Sequence, residues 1–226
     1  MLIAEELLLL LVDDESGKVS PAGAQLDRGL AGAALLELAD LGLVDVAGPG
    51  EEVREGRIVL REGRPPADSV LKATLARLAD LEGATPAAAL DKVGKGLREA
   101  VVDSLVGRGV LRREDRKVLG VFPTQRIPAE DGSHERALRA RLEQVLAGAE
   151  PDHHAAALIT LLHALGILTK VIEVDDQRTA KARAKTIADG DWAGEAVRKA
   201  VNAVNAAVFA AILVPTIAST GGSTGT

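Results

Sequence analysis

The stretch at residues 91–128, DKVGKGLREAVVDSLVGRGVLRREDRKVLGVFPTQRIP, decides how the chain reads. It gathers Lys92, Lys95, Arg98, Arg108, Arg112, Arg113, Arg116 and Lys117 in a chain whose formal charge is −6. The expected structure is a cationic amphipathic helix over 92–108, broken by Gly107 and Gly109. A short hairpin follows, with Val110-Leu111-Arg112-Arg113 as a basic arm and residues 117–122 as an apolar arm. Glu114-Asp115-Arg116 forms the expected turn.

Outside this stretch, composition points to helices. Apolar residues make up 47% of the 226, mostly Ala, Leu and Val, and the aromatics are only Phe122, Phe209 and Trp192. Such a balance favours helical packing over a sandwich or barrel. The expected fold class is mainly α, a single helical domain over 1–218 with short β-hairpins, one protruding. The length allows a substantial core. With no cysteine, disulfides and thiolate metal sites are excluded. The negative charge argues against bulk attraction to nucleic acid, so any anion binding must come from a local patch. The apolar N-terminal run carries Glu5 and Glu6 where a signal sequence would carry Lys or Arg, and no run reaches the ~18 apolar residues of a membrane span. A soluble, cytoplasmic protein is expected.

Along the chain, residues 2–12 read as a buried helix and 13–18 as a loop. Pro21 suits the first turn of a helix over 22–41, which Gly42 ends. Residues 43–46 and 57–60 read as strands of a hairpin, so helix, glycine and hairpin occur twice. Pro65-Pro66 opens a helix over 67–81, and Thr85-Pro86 a short segment to Leu90. Ser133 is placed to cap a helix over 134–146, with Glu135, Arg136, Arg139 and Glu143 on its wet side. Asp152 caps an apolar helix to Ile167. Residues 175–187 read as exposed helix, 192–217 as a core helix, and 219–226 as a disordered tail.

Two constellations carry chemistry. Lys95 and Arg98 are three apart, which places them on one helix face, and Gly94 and Gly96 leave little bulk around Lys95. Such a pair can hold a phosphate or sulfate group through charge-assisted hydrogen bonds. The bland alternative is a solvated face with Glu99 and Asp103 as local partners, the commoner outcome for a surface pair. In the hairpin, Val118 and Leu119 beside Arg112, Arg113, Arg116 and Lys117 suit shallow insertion at an anionic bilayer. Each such cation contributes about 1 kcal/mol, and each buried methylene about 0.8 kcal/mol. Val121 and Phe122 read as packing residues.

Other candidates are weaker. His153, His154 and His163 share one helix, but 154 and 163 point to opposite faces, so core or capping roles are expected and no metal site. Asp13-Asp14 and Asp175-Asp176 read as loop and cap residues. No nucleophile–base arrangement stands out, and neither an enzyme nor a cofactor is expected.

Four segments resemble the Golgi phosphoprotein 3 family, in the family's order: EELLLLLVDDESGKVS at 5–20, GLAGAALLELADLGLV at 29–44, LREAVVDSLVGRGVL at 97–111 and ALITLLHALGIL at 157–168. The resemblance implies a mostly helical domain with a protruding hairpin. It also implies binding of phosphatidylinositol 4-phosphate headgroups at a basic pocket, the hairpin assisting membrane contact or homo-oligomerisation. The family's paired pocket arginines fall on Lys95 and Arg98, its pocket tryptophan at about Ala22, and a third arginine on Ala31. Arg28 is a substitute cation for that last position. With those two departures, general anionic-lipid or phosphoryl-ligand binding is the expectation. The Ala-, Gly- and Arg-rich composition suits a bacterial member. The expected protein is thus a non-catalytic binding module, peripherally associated with membranes. The alternatives are a winged-helix-like nucleic-acid binder, disfavoured by charge and missing base-stacking aromatics, and an oligomeric scaffold that binds no lipid.

Overall fold

Among the apolar segments, the N-terminal one is buried on every side. In the computed structural model, which describes residues 1–13, 18–21, 23–118, 122–130, 132–189 and 202, it forms α1 (Ile3–Leu11) with all its residues buried. A helix buried all round, here with Glu5 and Glu6 among its leucines, has no solvent face and sits inside a bundle. Here α1 packs against α2 (Ala24–Asp40), α5 (Leu97–Gly107), α6 (Ser133–Leu146) and α7 (His153–Ala164). The mainly helical expectation holds. Between and after these lie α3 (Ser69–Ala79), α4 (Pro86–Val93), α8 (Leu168–Val171) and α9 (Gln177–Ala188). One hydrophobic cluster runs from Leu2 to Ile187.

The helix ends follow the sequence closely. After α2, Gly42 takes φ +69°, the Gly42 amide donates to Ala39 and the Leu43 amide to Leu38. After α5, Gly109 at φ +70° repeats this, with Gly109 donating to Val106 and Val110 to Leu105. Only a residue without Cβ takes this left-handed conformation freely, and the paired bonds satisfy helix-terminal carbonyls. Each closure feeds a hairpin. In the first, β1 (Val44–Val46) pairs antiparallel with β2 (Ile58–Leu60), Val44 opposite Leu60. In the second, β3 (Glu114–Val118) pairs with β4 (Phe122–Arg126), Glu114 opposite Arg126 and Val118 opposite Phe122.

Several boundaries differ from expectation. Pro21 precedes α2 rather than opening it. Residues 65–66 lie outside α3, whose cap is Asp68, accepting from the Val70 and Leu71 amides. Ser133 is the first residue of α6 and not its cap. Glu135, expected on the wet side, is buried at 5% exposure and bonds Arg139 Nε at 2.5 Å. Arg139 also donates to the carbonyls of Leu10 and Val171, so it ties α6 to the ends of α1 and α8. The second hairpin is displaced along the sequence: residues 114–116 are strand, and the connection falls at 119–121. The expected helix over 192–217 and the tail at 219–226 lie outside the described residues, apart from Asn202, which is helical.

Candidate functional site

The continuous helix expected over 92–108 is broken by a corner. α4 ends at Val93, α5 begins at Leu97, and Gly94-Lys95-Gly96 turns the chain between them. Gly96 takes φ +74°. A Cβ at Gly94 would lie 2.9 Å from the Asp27 carbonyl oxygen of α2 and 3.0 Å from that of Leu90. The corner is therefore pressed onto α2 at a distance that only glycine permits. Lys95 and Arg98 consequently do not share a helix face. Lys95 is exposed on the turn, while Arg98 is half-buried in the first turn of α5.

What the corner holds is a set of cations. The Arg98 Nε is shielded from solvent and has no hydrogen-bond partner. Arg77, on α3, donates through Nη1 to the carbonyls of Val93 at 3.2 Å and Lys95 at 2.6 Å. Among the described residues, Arg77, Lys95 and Arg98 meet no carboxylate. Sequence reasoning missed Arg77 because its link to the corner is tertiary. Arg28 is differently placed: its Nε is 2.8 Å from Asp91 Oδ1, so an ion pair already holds it. Ala31 is fully buried in the core, and Ala22 lies outside the described residues.

The acids expected to neutralise the pair are occupied elsewhere. Arg113 Nη2 is 2.5 Å from Asp103 and 3.2 Å from Glu99, which stand one turn apart on α5. The local partners expected for Lys95 and Arg98 are thus paired with Arg113 instead. Arg112 pairs with Glu114 at 2.7 Å and lies 3.7 Å from Glu130. Both arginines precede β3 at the hairpin base, where the Arg112 amide donates to the Pro128 carbonyl. Arg116, Lys117 and Val118 lie in β3, where they are described by backbone alone, and Leu119 lies outside the described residues.

Acids and histidines elsewhere organise the core. Glu5 is fully buried and accepts from the Leu2 amide, the Ser104 hydroxyl and Arg108 Nη1 at 2.9, 2.7 and 2.8 Å. Glu6 stands between His154 Nδ1 at 3.1 Å and His134 Nε2 at 3.6 Å. The hydrogen bond to Glu6 raises the His154 pKa, while burial lowers that of His163. Burial raises the pKa of Glu37, which accepts from the Ile3 amide at 2.8 Å. His153 pairs with Asp40 at 2.8 Å. Among the described residues, no His, Cys, Asp and Glu group is arranged to hold a metal ion. An open groove of about 700 Å³ between α6 and α9 is lined by Glu143, Glu173, Asp175 and Asp176. It shares no residue with the cationic corner, and its charge repels anions.

A family model, Golgi phosphoprotein 3 (GPP34), matches residues 3–204. No curated protein matches the chain.

Proposed function

The chain belongs to the Golgi phosphoprotein 3 family, and we propose that it is a non-catalytic binding module for anionic membrane surfaces. Lys95 and Arg98 contact the phosphoryl group of a lipid headgroup, of which phosphatidylinositol 4-phosphate is the type. One observation carries this reading. The two cations at the α4–α5 corner meet no carboxylate among the described residues, because Arg113 occupies Glu99 and Asp103. Charge-assisted bonds from such donors are roughly twice as strong as neutral ones. None of the described helices is long and apolar enough to cross a membrane. In this reading contact with the membrane is peripheral, made from the cytoplasmic side, and the hairpin assists it.

Co-sedimentation of the full chain with vesicles tests this. The vesicles are phosphatidylcholine alone, phosphatidylcholine with phosphatidylserine, and phosphatidylcholine with phosphatidylinositol 4-phosphate. Binding that rises with anionic lipid and weakens with salt supports the reading. Binding equal on all three vesicles contradicts it.

A further inference from the structure

Arg77 lies on the corner without being assigned to it by sequence pattern. Its Nη1 uses both hydrogens on the carbonyls of Val93 and Lys95, at 3.2 and 2.6 Å. The Val93 carbonyl belongs to the last residue of α4, so this contact complements the helix C-terminus. The shorter contact is to Lys95, beyond the helix, and draws the guanidinium over the turn. Arg77 Nη2 would be 3.9 Å from a Cβ at Gly96, the residue that precedes α5. A guanidinium presents five N–H donors in a planar fork. Two are used here, and the Nη2 and Nε donors meet no carboxylate among the described residues. Arg77 is also exposed, whereas Arg28 is paired with Asp91.

We propose that Arg77 is a third phosphoryl-binding cation of this site, acting with Lys95 and Arg98. Its Nη1 fixes the corner while its Nη2 and Nε donors meet the anion. The proposal rests on the reading of Lys95 and Arg98 as an anion site, and it names the group bound: a phosphoryl group, carried by a lipid headgroup or free in solution.

The test follows the arginine Nε–Hε signals of the full chain by nitrogen-15 NMR during titration with inorganic phosphate. The Arg77 signal is identified by its absence from the Arg77→Lys spectrum, and the Arg98 signal likewise. The two signals are expected to shift together with one midpoint. Arg77→Gln weakens phosphate binding by about tenfold, the loss of a charge-assisted contact, and Arg77→Lys recovers part of it. An Arg98 signal that moves while Arg77 stays fixed overturns the proposal and leaves Arg77 a helix-capping residue.

Vesicles containing phosphatidylinositol 4-phosphate separate the two sources of the group. Phosphate shifts at Arg77 without vesicle binding support the proposal and sink the membrane reading. Vesicle binding that needs Arg98 but is unchanged in Arg77→Gln sinks the proposal alone. No response to phosphate or vesicles sinks both.

Discussion

Arg113 Nη2 lies 2.5 Å from Asp103 Oδ1, and the same nitrogen lies 3.2 Å from Glu99. A cation at the base of the hairpin thus holds two acids of α5, the helix that begins at the corner. All three side chains are partly solvated, so the bridge itself contributes only about 0–1 kcal/mol to stability. Its larger effect is electrostatic. Arg113→Gln is expected to leave the urea midpoint nearly unchanged and to weaken binding to anionic vesicles several-fold. Adding Glu99→Gln and Asp103→Asn restores binding. Unchanged binding in Arg113→Gln shows that the acids do not act on the corner.

Gly94 is the point where the corner meets α2. A methyl group there sits 2.9 Å from the Asp27 carbonyl, a backbone atom that cannot rotate away. Gly94→Ala is expected to cost about 1–3 kcal/mol by overpacking and to weaken vesicle binding as the corner moves. Gly96→Ala meets no such obstacle but forces φ +74° on a residue with a Cβ, at roughly 1–2 kcal/mol. Denaturant melts of both variants give the comparison.

Glu5 makes a second contrast. Arg108→Ala leaves a fully buried carboxylate with the Ser104 hydroxyl and the Leu2 amide but no cation. The expected cost is about 1–3 kcal/mol. Arg112→Ala, which removes a solvated pair with Glu114, is expected to cost less than about 1 kcal/mol. Equal losses in urea melts contradict the importance given to Glu5.

Stability should depend on pH through His154. Its folded pKa is raised, chiefly by the bond to Glu6; Glu37 adds to the rise, while burial and the N-terminal amine oppose it. His134 faces the same Glu6 carboxylate. A raised folded value gives stability that is fully present below the unfolded pKa of about 6.5. It is lost as pH rises through the folded pKa. His163, lowered by burial, acts oppositely: its contribution is present above about pH 6.5 and is lost as pH falls. His154→Gln is therefore expected to lose most relative to the native chain on the acid side. The difference in unfolding free energy should narrow as pH rises above about 6.5, and a constant difference contradicts the linkage.

Local signals predicted local structure well. Gly42, Gly109, Asp152 and Thr85 mark helix ends through φ and capping chemistry that a few residues determine. The corner at 94–96 was harder, because helix-favouring residues lie on both sides and glycine permits a helix as well as a turn. Its cause is tertiary, the close approach to Asp27. The hairpin was misplaced because Glu114-Asp115-Arg116 has turn-like polarity yet pairs with Thr124, Gln125 and Arg126 in register. Glu135 reads as a wet-side charge and is buried, because Arg139, its partner one turn on, is drawn inward by the carbonyls of Leu10 and Val171. For the site, Lys95 and Arg98 were legible as charges. Arg77 and the diversion of Glu99 and Asp103 to Arg113 needed the fold.

The decisive measurement is co-sedimentation of Lys95→Ala/Arg98→Ala with phosphatidylcholine vesicles containing phosphatidylinositol 4-phosphate, beside the native chain at equal stability. Loss of most of the bound fraction, with a weaker salt dependence for what remains, is the predicted result. Binding at the native level in the double variant would contradict the assignment of the headgroup site to the α4–α5 corner.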